Sequence, residues 1–92
     1  MTTYQAGNTV RLAAEFKDWD GENVDPETIK LIIYDYRYNK LDEREIQTEN
    51  RTSIGAYYYD YIFNEGEFIY EWLATINRTP SLIRKRISVK TI

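Results

Sequence analysis

Histidine and cysteine are both absent from the 92 residues of this chain. Without cysteine there are no disulfides and no thiolate metal ligands, so packing alone must stabilise the fold. Without histidine the commonest general base is missing, and acid–base chemistry is left to pairs of carboxylates. A domain of this size offers little cleft in which two carboxylates can face each other across a substrate. We therefore expect a protein that is not an enzyme and that uses no cofactor.

Long apolar runs are missing as well. Nowhere do apolar residues continue for the roughly eighteen positions that a membrane-spanning helix requires. The first residues, MTTYQAGNTV, lack the basic segment and apolar run of a signal peptide. The net charge of -3 opposes binding to a phosphate backbone. We therefore expect no membrane partner, no nucleic-acid partner and no secretion through a signal peptide.

Aromatic residues are the excess in this composition. The chain has nine tyrosines, three phenylalanines and two tryptophans, within an ordinary apolar fraction of 42%. Aromatic side chains suit the pleated, half-buried surface of a sheet, so this excess favours β structure. The length predicts one domain that covers residues 1–92.

Two early segments alternate between apolar and polar residues, as strands with one buried face do. They span residues 9–16 and 28–36. The residues predicted to point inward are Val10, Leu12, Ala14, Phe16, Ile29, Leu31 and Ile33. Polar residues at 36–40 indicate the turn that ends the second strand.

Two aromatic-rich segments follow, at residues 55–63 and 66–76. Asp60 sets the phase of the first, because an unpaired carboxylate is costly to bury. The residues predicted to point inward in the two segments are Tyr57, Tyr59, Tyr61, Phe68, Tyr70, Trp72, Ala74 and Ile76. Gly66 lies in the short connection between the segments, and such a glycine-bearing turn predicts a hairpin.

The last strand is predicted at residues 81–90, with Ile83, Ile87 and Val89 inward. Lys85 interrupts this inward stripe, so we expect it near a strand end, where its amine reaches water. Residues 41–52 are highly charged and offer a helix almost no apolar stripe to bury. We favour an edge strand there over a short helix, because charges protect strand edges.

The pattern as a whole predicts an all-β fold. Six or seven strands recur at intervals of about 8–12 residues, the spacing of an immunoglobulin-like antiparallel β-sandwich. No segment has the length and apolar stripe of a long helix. A small barrel is the competing closure, and periodicity does not distinguish it from the sandwich.

The acidic stretch DWDGENVDP, residues 18–26, has the composition of either a metal-binding loop or a turn. In the register of a calcium-binding EF-hand loop, the first ligand position falls on Phe16, which belongs to a strand. We favour a turn at the Asp-Gly step, a strong hairpin signal. An irregular, weak metal site remains the alternative. Its ligands would be Asp18, Asp20 and Asp25.

Trp19 lies in this loop, out of phase with both neighbouring stripes. We expect it to fold back and cap one open end of the core, because a small domain needs every large apolar side chain it has. The alternative is an exposed residue that stacks on a sugar ring or a base.

The outward faces of three strands predict a partner-binding surface. Placed in one sheet, residues 28–36, 66–76 and 81–90 form an apolar patch with a basic border. Its members are Ile32, Tyr34, Ile69, Leu73, Arg84 and Arg86. Such a patch is typical of an interface, so we predict self-association or docking into a larger assembly. The alternative is that a loop, or the N-terminal segment around Tyr4, covers the patch.

Three stretches carry a resemblance to a known group of proteins, and together they extend from Gly7 to Lys90. They read GNTVRLAAEFKDWDGENVDPETIKLIIYD, GAYYYDYIFNEGEFIYEWLATI and RKRISVK. Their marks are the D-x-D-G…V-D-P turn, the G-x-Y-x-Y strand and the G-x-F-x-Y-x-W strand. In these features the chain resembles the small immunoglobulin-like proteins encoded among the virion genes of tailed bacteriophages and prophages. Residues 41–52 depart most from that pattern.

The resemblance implies a non-catalytic structural or assembly protein of a phage head, neck, tail or baseplate. Such a protein is made in the cytoplasm of the bacterial host, is used in many copies and contacts other virion proteins or itself. Similar patterns also occur in bacterial immunoglobulin-like modules that bind polymers. A carbohydrate- or surface-polymer-binding module, with Trp19 and exposed tyrosines stacking on rings, is therefore the alternative function.

Overall fold

A computed structural model describes residues 2–90 of the chain. It is built almost entirely of strands, which confirms the all-β prediction. The strands are β1 (Thr2–Gln5), β2 (Thr9–Glu15), β3 (Thr28–Asp35), β4 (Lys40–Glu45), β5 (Arg51–Ser53), β6 (Ala56–Ile62), β7 (Gly66–Ile76) and β8 (Thr79–Lys90). A single 3₁₀ turn, Thr48–Asn50, precedes β5. Within residues 2–90 no helix has the length and apolar character needed to cross a membrane.

The strands form two sheets. One sheet has five strands in the order β1-β8-β7-β3-β4, and the other has three in the order β2-β6-β5. Seven strands pair antiparallel, three in one sheet and four in the other, as the sequence pattern indicates. The eighth, β1, lies parallel to β8 at the sheet edge. β1 has four residues, too few for a repeated alternation of apolar and polar positions to predict a strand.

The core lies between the two sheets and is formed by the inward stripes that the alternation predicts. Val10, Leu12 and Phe16 approach it from the three-stranded sheet, and Leu31 and Trp72 from the five-stranded sheet. Trp72 is 0% exposed, and its ring stands edge-on to Phe16 with centroids 6.4 Å apart. β2 and β3 show this arrangement most clearly, with alternate residues in the core and the residues between them facing away from it.

The predicted hairpin between the two aromatic strands is wrong. β6 pairs with β2 and β5, whereas β7 pairs with β3 and β8, so the connection at 63–65 crosses from one sheet to the other. Phe63 is buried in this crossing, with its ring centroid 4.8 Å from Tyr61 and 4.9 Å from Phe68. A short glycine-bearing connection is compatible with a hairpin and with a crossing between sheets. Here Phe63, at the start of the connection, is buried in the core, and this favours the crossing.

Residues 41–52 form more than the predicted edge strand. β4 is an edge strand, paired with β3 alone. The chain then leaves that sheet through the 3₁₀ turn and continues as β5, at the edge of the three-stranded sheet. The charged stretch therefore supplies an edge to each sheet.

The predicted place of Lys85 near a strand end is also wrong. Lys85 lies in the middle of β8, opposite Tyr70, and is exposed. β1 pairs only with residues 87–90, so residues 79–86 have no strand partner on that side within the described part of the chain. Because the edge is open here, the amine of an inward-phased lysine reaches water without a strand end.

Replacing Leu31 with alanine should lower the free energy of unfolding by about 2–5 kcal/mol, because it leaves a cavity in the centre of the core. Ile62→Ala is the matched control: Ile62 is exposed, and its truncation should change stability by no more than about 0.5 kcal/mol. Urea unfolding of both variants measures the difference. Equal losses would contradict the burial described here.

Candidate functional site

The outward side of the five-stranded sheet, called the outer face below, carries all six residues predicted to bind a partner. Backbone register arranges its residues in rows across β3, β7 and β8. The rows are Lys30–Leu73–Leu82, Ile32–Glu71–Arg84 and Tyr34–Ile69–Arg86. The alternation of side chains along each strand therefore places the predicted patch on one surface of the sheet.

A buried carboxylate lies in the middle of the outer face. Glu71 is 5% exposed, and its Oε2 accepts hydrogen bonds from Nε and Nη2 of Arg84 at 3.0 and 2.8 Å. Burial, and then hydrogen bonding to Glu71, raises the pKa of the Tyr34 hydroxyl. A buried carboxylate is tolerated when it is paired in this way. The pair also holds the Arg84 guanidinium in one position on the surface.

Tyr38 from the β3–β4 turn covers part of the outer face. Its φ of 65° folds the turn back, with the Tyr34 ring at 5.8 Å and the Arg84 guanidinium 5.4 Å from the Tyr38 centroid. Ile69 on this face is 1% exposed, so it is inaccessible to a partner in this conformation. The sequence predicted Ile69 as part of the exposed patch, and that part of the prediction is wrong.

The apolar side chains that remain accessible on the outer face lie nearer the β7–β8 turn than Ile69 does. Leu73 and Leu82 are cross-strand neighbours and are 37% and 51% exposed. In the other two rows, Ile32 and Tyr34 are half-buried, and Arg84 and Arg86 are exposed. Sequence analysis missed Leu82, although it shares the alternation of Arg84 and Arg86. Tyr4, the suggested cover, packs against the core instead.

The acidic loop between β2 and β3 contains the predicted tight turn, but β2 and β3 lie in different sheets, so the loop does not join them as a hairpin. The Gly21 amide donates to the Asp18 carbonyl at 3.1 Å, and Gly21 has a φ of 81°, a conformation that favours glycine. Asp18 Oδ1 accepts from the amides of Asp20 and Glu22 at 2.9 and 3.1 Å. The Asp18 side chain thus stabilises the loop itself.

Asp25 does not join the other two carboxylates of the predicted metal site. It accepts hydrogen bonds from Arg51 Nε at 3.0 Å, the Gly55 amide at 2.9 Å and the Tyr57 hydroxyl at 3.0 Å. The hydrogen bond from Arg51, followed by that from Gly55, lowers the pKa of Asp25 from 3.8 to about 2. Asp25 therefore ties the β2–β3 loop to the turn between β5 and β6.

Gly55 makes this junction possible. Its φ is 76°, and a Cβ at this position would lie 2.6 Å from the Phe16 carbonyl oxygen. The Phe16 amide donates to the Gly55 carbonyl at 2.8 Å. Within residues 2–90 no group of three or more acidic residues is placed to hold a metal ion, so the alternative metal site at Asp18, Asp20 and Asp25 has no support there.

Trp19 does not cap the core, contrary to the prediction. It is 89% exposed on the tip of the turn, while Val24 from the same loop packs against the core. Beside it is a cavity of about 200 Å³ between the β2–β3 loop and the turn that joins β7 to β8. The cavity is lined by Lys17, Asp18, Trp19, Ile76, Thr79, Pro80 and Ser81. The exposure of Trp19 agrees with the alternative prediction, that of an exposed residue able to stack on a ring.

Comparison with models of known protein families, with curated proteins and with solved structures finds no match. The outer face and the loop that carries Trp19 are the two features of the molecule that bear on function.

Asp25→Asn should lower the melting temperature at pH 7, because it removes the ionised acceptor of three hydrogen bonds. Its pKa is lowered in the folded state, so the ionised form stabilises the fold above the unfolded pKa of 3.8. That contribution is lost as pH falls toward about 2. The difference between wild type and variant should therefore shrink between pH 5 and about pH 2.

Thermal unfolding followed by circular dichroism across this pH range measures the effect. Asp20→Asn is the control, since Asp20 is exposed in the same loop and its side chain should contribute little. A difference that stays constant down to about pH 2 would show that the Asp25 carboxylate is not the stabilising group.

Proposed function

We propose that this chain is a non-catalytic structural or assembly protein of a tailed-phage virion, a component of the head, neck, tail or baseplate. It is made in the cytoplasm of the bacterial host and acts through protein–protein contacts of its outer face, with copies of itself or with other virion proteins. The observation that carries the proposal is the exposed Leu73–Leu82 pair on the outer face, on the side of Glu71 that is nearer the β7–β8 turn.

The strand order supports an immunoglobulin-like sandwich. In such domains one sheet contains strands B, E and D, and the other contains G, F and C, with C′ added in variable-type domains. Lettered along the chain from β2 as B, the order β2-β6-β5 corresponds to B-E-D, and β8-β7-β3-β4 to G-F-C-C′. One departure is that the buried tryptophan lies on β7, the counterpart of F, whereas antibody domains carry it on C. The cross-strand position on β3 is Leu31.

The composition of the outer face also supports a protein partner. Interfaces combine an apolar centre with tyrosine and arginine, and charged groups lie at the rim. Leu73 and Leu82 supply the apolar group here, with Lys30 at one end of their row. Arg84 lies in the next row, with Tyr38 against its guanidinium. Because Arg84 is already held by Glu71, a partner that binds it immobilises little additional side-chain freedom.

Replacing Leu73 and Leu82 together with serine should dissociate the assembly without unfolding the domain. Burial of an exposed leucine contributes on the order of 1.5 kcal/mol, so the double change should weaken association at least about tenfold. Light scattering after size exclusion measures the mass in solution, against 11.0 kDa for one chain. Circular dichroism verifies that the variant is folded.

Ile62→Ser is the matched control, because Ile62 is exposed on the three-stranded sheet and should leave association unchanged. Phage particles purified from the strain that carries the gene should also contain the chain, as detected by mass spectrometry. Association that persists in the double variant would contradict the outer face. A wild type that is monomeric and absent from particles would contradict the assembly function.

A further inference from the structure

The most exposed large apolar side chain in the described part of the chain is Trp19. It projects from a turn that needs no tryptophan for its own geometry, since Asp18 and Gly21 make the hydrogen bonds that close it. A small domain that leaves its largest side chain uncovered forgoes burial that stabilises the fold. Exposure of this kind points to a ligand that covers the indole.

The turn presents Trp19 on a well-ordered base. Lys17 and Asn23 form a backbone bridge at the foot of the loop, and the Asp18 amide donates to the Glu22 carbonyl at 2.9 Å. Above that bridge, the Asp18 side chain accepts two further amide hydrogen bonds. The backbone that carries the indole is therefore preorganised, which lowers the entropic cost of binding.

The cavity beside Trp19 has the dimensions and the chemistry for one ring. Its volume is about 200 Å³, below the roughly 300 Å³ at which pockets for drug-sized ligands begin. Ile76 and Pro80 supply apolar surface, while Ser81, Lys17 and Asp18 supply polar groups at the border. A ligand that matches it has one apolar face and hydrogen-bonding groups around its edge.

The charges of the loop select against an anionic ligand. Lys17 and Asp18 at the cavity cancel each other, and Asp20 and Glu22 add negative charge to the same loop. The chain as a whole carries a net charge of -3. Nucleic acids and acidic polymers are therefore repelled, whereas a neutral ring pays no such cost.

We propose that this end of the sandwich is a binding site for a neutral hexopyranose unit of a polysaccharide. The C–H face of the sugar ring packs on the Trp19 indole, and the hydroxyl groups at the ring edge bind the polar border of the cavity. The site lies between the β2–β3 loop and the β7–β8 turn, and its Pro80 is in the row next to Leu73 and Leu82. Variants therefore have to separate this site from the proposed assembly contact.

The experiment uses cellohexaose, maltohexaose and chitohexaose, three neutral oligosaccharides, with a heparin hexasaccharide as the anionic comparison. Tryptophan fluorescence reports the site directly, because Trp72 is 0% exposed and only Trp19 is open to acrylamide quenching. At least one neutral oligosaccharide should protect Trp19 from acrylamide, and calorimetry should show the same dissociation constant. Trp19→Ala should weaken this binding about tenfold or more, as the loss of a stacking platform does.

Trp19→Phe keeps an aromatic ring and should retain part of the affinity, while Ile62→Ala on the three-stranded sheet should leave it unchanged. Absence of protection by all three neutral oligosaccharides would overturn the proposal, as would tighter binding of the heparin hexasaccharide. Loss of self-association in Trp19→Ala would also overturn it, because Trp19 would then be a protein contact. Normal self-association of that variant separates failure of this site from failure of the assembly function.

Discussion

The packing of Trp72 between the two sheets is the interaction on which the rest of the structure depends. Its ring meets Phe16 from the opposite sheet, and its strand neighbours are Leu31 and Ile83. Its indole Nε1 is the one buried side-chain polar atom without a hydrogen-bond partner in the described part of the chain. An unpartnered buried group costs about 1–3 kcal/mol, so apolar contact in the centre of this core outweighs that cost.

Polar contacts then fix how the periphery attaches to this core. Asp25 connects the β2–β3 loop to β5 and β6, and the Tyr61 hydroxyl donates to Asp42 on β4 at 3.0 Å, linking an edge strand of one sheet to the other sheet. Each acceptor is a carboxylate, and each also has an arginine partner. With no disulfide available, charge-assisted hydrogen bonds secure the loops that packing does not reach.

Alternation predicts the strands well because burial on one side of a sheet imposes a period of two residues. It identified the inward residues of β2, β3, β6 and β7, and it brought the six outer-face residues together. Alternation does not indicate which sheet the next strand joins, so it did not predict that the β6–β7 connection crosses from one sheet to the other. The predicted exposure of Ile69 and the predicted burial of Trp19 were wrong for a related reason. The exposure of each side chain depends on how a loop folds, which alternation within a strand does not indicate. Tyr38 folds back over the outer face beside Tyr34 and Arg84, while the half-buried Val24, from the same loop as Trp19, packs against the core.

The open edge of β8 has a consequence for aggregation. On the side away from β7, residues 79–86 have no strand partner in the described part of the chain, so their outward backbone groups are a template on which another strand can add. Pro80 lacks an amide hydrogen there, and Lys85 would have to bury its amine under an added strand. Addition of a strand at this edge is thereby made costly, which protects the chain against aggregation through its backbone.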